Sequence, residues 1–209
     1  MHDQGPSTPM MKQYWRLKAE VPDAILFFHL GDFYETFFED AEIVAHELDI
    51  VLTARNGHPM AGVPVRRGEG YIQQLLHRGH KVAVCQQVED PKQATGLVRR
   101  DIVRVITPGT AVDEELLVSG ANNYLCALWS TDPSGPYGLA LLDLSTGEFV
   151  CTIAPSSDAL SDELARSSPS EVLLPRDAEG LRPLIGEFFV TEIPSEWYEP
   201  PDRSSLVTS

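Results

Sequence analysis

Six residues, Ile25-Leu26-Phe27-Phe28-His29-Leu30, form an aromatic-rich apolar run that Gly31 stops. A run this short and this apolar fits a strand buried in a sheet. The hydrophobic period then changes. Phe37, Phe38, Ala41, Val44, Ala45 and Leu48 recur every three or four positions, which predicts an amphipathic helix from about Glu35 to Leu48. Ahead of the run, Thr8 suits an N-cap and Pro9 the first helical position, so a helix is expected over Met10 to Glu20, ended by Pro22. Behind it, strands are expected at Ile50 to Thr53, Val82 to Val88 (closed by Pro91) and Asp101 to Thr107, and a helix from Gly70 to Arg78 that stops at Gly79. Arg55-Asn56-Gly57-His58-Pro59 reads as a turn-rich loop. Strands alternating with helices predict a small mixed-sheet α/β domain.

Pro108 to Gly120 reads as a linker carrying the acidic patch Asp113-Glu114-Glu115. Beyond it, Tyr124 to Trp129, Tyr137 to Leu144 and Glu148 to Ile153 read as three strands, the last two joined by the hairpin signal Ser145-Thr146-Gly147. A helix near Asp158 to Arg166, a strand Glu171 to Leu174, a short helix near Ala178 to Ile185 and a strand Phe188 to Ile193 follow. A three-strand meander followed by α-β-α-β is the order of an RNase H-like α/β fold. The polar tail Pro200 to Ser209 has no periodic pattern and is expected to be disordered or cut short. The organisation expected is therefore two α/β domains, residues 1–115 and 116–209.

Charge separates the same halves. Residues 1–112 hold 12 Lys/Arg against 14 Asp/Glu, whereas residues 113–209 hold 4 against 17. All six His lie in the first half. The first half can approach phosphates, while the second would be repelled by them and fits a protein partner better. The net charge of −15 also predicts weak non-specific DNA binding by the whole chain, since that affinity depends on neutralising phosphates. No apolar run reaches the ~18 residues of a membrane span, and the polar N-terminus lacks a signal-peptide pattern, so a cytoplasmic location is expected. Cys85, Cys126 and Cys151 are widely spaced and read as small hydrophobes in or near cores. His77 and His80 lack carboxylate or Cys partners at metal-binding spacing, and no Gly-rich P-loop is present, so no metal or cofactor is expected in this chain.

Gly31-Asp32-Phe33-Tyr34-Glu35 is the most informative stretch. In extended backbone Phe33 and Glu35 share one side and Tyr34 takes the other. An aromatic ring beside a carboxylate on a projecting edge suits a base reader, in which the ring wedges between bases and the carboxylate accepts a hydrogen bond. Residue pattern alone leaves a plainer alternative, with Phe33 in a core and Glu35 at the start of the next helix. Asp143, ahead of Ser145-Thr146-Gly147, reads as a turn former rather than a nuclease carboxylate, because a two-metal site needs several converging carboxylates.

Thr8-Pro9-Met10-Met11, Gly31-Asp32-Phe33-Tyr34-Glu35, Pro59-Met60-Ala61-Gly62-Val63-Pro64 and Thr107-Pro108-Gly109-Thr110 occur in one order. Together they resemble the N-terminal part of the bacterial MutS family over roughly residues 7 to 118, with a weaker resemblance to that family's connector domain up to about 200. The resemblance implies a mismatch-recognition domain and a truncated, RNase H-like connector. It implies that Phe33 enters the minor groove and stacks on a mispaired or unpaired base, and that Glu35 hydrogen-bonds to that base. It implies that Met60, in a loop along the groove, packs on sugars. Arg55, Arg66, Arg67, Lys92, Arg99 and Arg100 are candidate phosphate contacts. The partners implied are mismatched double-stranded DNA, a second MutS subunit in the full-length protein, and a MutL-type protein at the connector. The family's ATPase, with its ATP and magnesium, is expected to lie outside this chain, which then is a fragment without enzymatic activity, associated with the nucleoid. The alternative is a protein-interaction module that docks a MutL-type partner without useful DNA binding of its own.

Overall fold

The computed structural model describes residues 8–89, 96–118 and 120–198. Pro91, Lys92 and the tail Pro200 to Ser209, for which the sequence predicts a strand end, a phosphate contact and disorder, lie outside these residues. The chain forms two compact units, Met1–Thr107 with Glu114–Leu116, and Pro108–Asp113 with Leu117–Ser209. Among the described residues no helix is long and apolar enough to cross a membrane.

The first unit is built on α1 (Pro9–Glu20), β1 (Ile25–Leu30), β2 (Phe33–Phe37), α2 (Phe38–Glu47), β3 (Thr53–Arg55), β4 (His58–Pro64), α3 (Gly68–His77), β5 (Val82–Gln87) and β6 (Arg100–Ile106). Its six strands lie in the order β3-β4-β2-β1-β5-β6, with only β1 and β5 parallel. Thr8 caps α1 as expected, accepting from the Met11 amide at 3.3 Å, an interaction typically worth ~1 kcal/mol. Met11, Tyr14 and Leu17 of α1 pack on Leu26, Phe28, Phe37, Ala83 and Cys85 of the sheet. The Tyr14 ring meets Phe28 and Phe37 edge-on, with centroids 5.8 and 5.2 Å away.

The expected helix from Glu35 begins three residues later, because Phe33–Phe37 is a strand between β1 and β4. Three aromatics and a Thr in Phe33-Tyr34-Glu35-Thr36-Phe37 favour a pleated surface, and ladders with β1 and β4 hold the segment in one. The switch from strand to helix falls at Phe38, whose φ of +56° breaks the ladder. Buried Asp40 holds this corner, accepting from the Leu26 amide at 3.0 Å and from Lys18 Nζ at 2.9 Å. The strand expected at Ile50 to Thr53 is shifted to Thr53–Arg55, leaving Val51 and Leu52 exposed.

The segment read as a linker is not free chain. Gly109 is buried, its amide donates to Glu171 at 3.0 Å, and an added Cβ would stand 2.8 Å from that side chain. Leu116 is buried as well.

The second unit contains β7 (Tyr124–Trp129), β8 (Tyr137–Asp143), β9 (Glu148–Ala154), α4 (Ser157–Ser167), β10 (Glu171–Pro175) and β11 (Val190–Ile193). Its mixed sheet runs β11-β10-β7-β8-β9, the antiparallel meander of β7, β8 and β9 being extended by parallel β10 and β11. This is the arrangement expected of an RNase H-like sheet. Leu160 and Leu164 of α4 enter a core with Cys126, Leu128, Tyr137, Leu139 and Leu141. The short helix expected near Ala178 to Ile185 is reduced to a turn at Arg182–Leu184. Gly180 lies so close to Pro133 that a Cβ would stand 2.7 Å from its ring, and Pro183 supplies no amide for a helix. Cys85 and Cys126 are buried as expected, and burial pushes both thiols up to about 12. Cys151 departs from that expectation: it is exposed on β9.

Candidate nucleic-acid interface

A two-residue turn, Gly31-Asp32, sends the chain from β1 back along β2, with Leu30 opposite Phe33. Gly31 supplies the positive φ, +60°, that the first position of such a turn requires. The Val65 amide ties the turn to the end of β4 by donating to the Asp32 carbonyl at 2.9 Å. The β2 pleat then presents Phe33, Glu35 and Phe37 on one face. Phe37 is covered by α1, but Phe33 beyond it is 46% exposed. Between them, Glu35 is partly buried. Tyr34 points the other way. It is buried against Phe27, its hydroxyl accepts from Gln86 Nε2 at 2.5 Å, and its ring lies so near Gly68 that a Cβ there would meet it at 2.8 Å. Tyr34 therefore anchors the strand whose opposite face carries Phe33 and Glu35. Of the two readings the sequence left open, Phe33 in a core and Glu35 on a helix are not what the structure shows.

Gly62 of β4 lies opposite Glu35. A Cβ at Gly62 would stand 3.8 Å from both Phe33 Cδ1 and Glu35 Cγ, so its absence leaves the space beside the two side chains open. The Pro59-Met60-Ala61-Gly62 stretch, expected as a loop, is strand β4, paired on both sides by β2 and β3. Met60 is half-buried opposite Phe37 and packs against the α1 core. That packing accounts for much of its side chain without a ligand.

The expected cations fall into different environments. Arg55 is the last residue of β3, next to an Asn56-Gly57 turn in which both φ angles are positive, +52° and +83°. That is the type I′ geometry of a tight hairpin. Arg55 Nη1 donates to Glu35 Oε2 at 2.7 Å, with 44% of the Arg side chain and 16% of the Glu side chain exposed. An ion pair with so exposed a partner is worth only about 0.2–1 kcal/mol. Arg66, Arg67 and Arg99 are exposed, Arg66 in a groove with His29, Gly31, Asp32, Phe33, Pro64 and Val65. Arg100 is a correction to the expected set. It is 4% exposed, its guanidinium donates to the carbonyls of His29 (2.7 Å) and Val98 (3.0 Å), and it lies 5.2 Å from the centre of the Phe28 ring. Its donors serve the interior of the unit and are turned away from any phosphate.

An exposed ring, a carboxylate beside it, an arginine paired with that carboxylate and Arg66 in the groove next to the ring thus stand together on the first unit. A family model for MutS domain I matches residues 8–115, which contain this whole arrangement, and one for MutS domain II matches 123–205. The chain belongs to the MutS family. It is 50% identical over 182 residues to the DNA mismatch repair protein MutS of Symbiobacterium thermophilum, covering 82% of this chain and 20% of that protein. To the protein of the same name from Desulfosudis oleivorans it is 48% identical over 192 residues, 87% of this chain and 21% of that one. To that of Methanosarcina mazei it is 45% identical over 196 residues, 85% and 22% of the two chains. The chain spans about a fifth of the length of these MutS relatives. The family models matched are those of domains I and II.

Two members of the site escaped the sequence reading. In the sequence Gly62 reads only as part of a loop, and the Arg55–Glu35 pair is not visible there, because the partners are 20 residues apart. Asn56-Gly57 carried the signal: read as a two-residue hairpin turn, it lays Arg55 antiparallel to His58 and within reach of β2.

Proposed function

We propose that this chain is the mismatch-reading end of a DNA mismatch repair protein. The observation that carries this reading is the pleat of β2, which keeps Phe33 exposed and Glu35 at its side while Tyr34 locks the strand from behind. Phe33 wedges into the minor groove and stacks on a mispaired or unpaired base, and Glu35 accepts a hydrogen bond from that base. Unstacking an ordinary base step costs a few kcal/mol, and a mismatch has already lost part of that cohesion. The wedge therefore gains most where the duplex is weakest. Arg66, Arg67 and Arg99 neutralise phosphates and hold the duplex without reading sequence, and Arg55, paired with Glu35, brings a further cation to the same side. Phe33→Ala removes a stacking contact worth about 1–3 kcal/mol. It is expected to reduce the preference for a mismatched over a matched duplex roughly ten- to a hundredfold, with matched binding unchanged, in a fluorescence-anisotropy titration at low salt. Equal loss on both duplexes defeats the wedge role.

The second unit supports a second, compatible role as a docking surface. Its edge strand β9 exposes Phe149 (64%) and Ile153 (73%), and Leu142 opposite Phe149 is only half-buried, in the acidic half of the chain. A MutL-type protein is the partner proposed. It is expected to be retained by the immobilised chain and released by the double substitution Phe149→Ser, Ile153→Ser; retention by the doubly substituted chain rejects this surface. Dimerisation and use of ATP are proposed for the parts of the relatives that this chain does not span.

A further inference from the structure

We infer that Arg55 is a specificity-determining residue that is handed from Glu35 to a DNA phosphate when the wedge finds a mismatch. The inference rests on the mismatch reading above and adds to it the coupling between phosphate binding and base reading.

The free chain already pairs Glu35 with Arg55 at 2.7 Å, and it does so across three strands. The carboxylate lies at the wedge, where a duplex brings many phosphates close, and unpaired it would repel them. Arg55 cancels that repulsion during approach. Its side chain, 44% exposed at the end of a hairpin, uses an Nη1–H on Glu35 and has further donors on the same planar fork. A phosphate oxygen is a competing acceptor of the same charge. Transfer of Arg55 to the phosphate leaves Glu35 in need of a new donor.

What happens next differs between duplexes. On matched DNA the bases stay stacked and paired, so no base N–H turns to Glu35, and a bare carboxylate among phosphates is unfavourable. Arg55 then stays on Glu35. At a mismatch Phe33 opens the step, a base N–H reaches Glu35, and both partners of the broken pair find new ones. Gly62 keeps the space over Phe33 and Glu35 free for that base. One ion pair thus makes the phosphate contact conditional on the base contact.

The test uses the whole chain, as wild type, Arg55→Gln, Glu35→Gln, the double variant and Arg55→Lys, with a duplex carrying one G·T mismatch and its matched counterpart, titrated over a salt series. Thermal melts confirm that each variant folds. In the wild type the mismatched duplex is expected to show a steeper log Kd against log salt, by about 0.9, the increment of one added phosphate contact. Arg55→Gln removes that difference, and Arg55→Lys restores it. Glu35→Gln frees Arg55 on both duplexes, so matched binding tightens and acquires the steeper slope. Arg55→Gln lowers mismatch preference about five- to tenfold in the wild type and leaves it unchanged in the Glu35→Gln background, the non-additivity of a coupled pair. Equal salt slopes on the two duplexes in the wild type, or effects of the two substitutions that multiply, overturn the hand-over while leaving the mismatch reading intact. A wild-type chain that shows no preference at all overturns the mismatch reading and this inference with it.

Discussion

Glu35 and Asp143 are both carboxylates carried on strands, and the two units hold them in opposite ways. Asp143, at the end of β8, is buried. It accepts from the Ser145 hydroxyl at 2.6 Å and amide at 2.9 Å, from the Thr146 amide at 3.3 Å and from the Asn123 amide at 3.1 Å. Those donors are mostly backbone and local, so the carboxylate can leave only if the turn unfolds. Glu35 is held by one flexible, half-exposed cation from another hairpin. A carboxylate held by its own turn is architecture. One held by a long side chain that water already reaches is exchangeable, and exchange is what recognition requires. The contrast also disposes of Asp143 as a nuclease carboxylate: its oxygens are engaged in turn formation, the role the sequence predicts for it.

The sharpest way to break this comparison is to remove each carboxylate and measure folding. Asp143→Ala strands the amides of Asn123, Ser145 and Thr146 and is expected to lower the melting temperature of the second unit by several degrees in calorimetry. Glu35→Ala is expected to cost no more than about 1 kcal/mol, the upper worth of an ion pair with so exposed a partner. Similar losses from both would erase the distinction between locked and exchangeable. A smaller effect is expected from acid. Burial pushes the Asp143 carboxyl up, but the Ser145 hydroxyl and the amides of Asn123, Ser145 and Thr146 more than offset this and hold it below the usual carboxylate value. Its contribution is therefore complete above pH about 4 and is lost as pH falls through the depressed folded value. Acid titration of the wild type should show this loss in the second unit, and Asp143→Asn should flatten it. An unaltered acid profile in that variant assigns the acid sensitivity elsewhere.

Elements with their own period and punctuation were legible in the sequence. Ile25–Leu30, bounded by Gly31, and the strands around Ser145-Thr146-Gly147 stand where they were expected. What failed depends on partners far along the chain. Phe37 and Phe38 fit a helical stripe with Ala41 and Val44, yet pairing with Met60 of β4 claims Phe37 for the sheet. Ala178 to Ile185 has apolar residues at helical spacing, but Gly180 is pressed on Pro133 and Pro183 cannot donate. Arg100 follows Arg99 in a pair that reads as a phosphate contact, and strand alternation sends only one of the two outward. For the site, the spacing of Phe33 and Glu35 was readable because a pleat has a period of two. The Arg55–Glu35 pair was not, since it is fixed by how three strands register.

That register has a further consequence through the Asn56-Gly57 turn. Successive side chains of a strand point to opposite faces, so a single residue added to this turn would rotate Arg55 away from Glu35 and carry its charge to the far face of the hairpin. The connection is thus sensitive to length before it is sensitive to composition. In this chain the number of residues at this one corner therefore decides whether the arginine reaches the carboxylate two strands away.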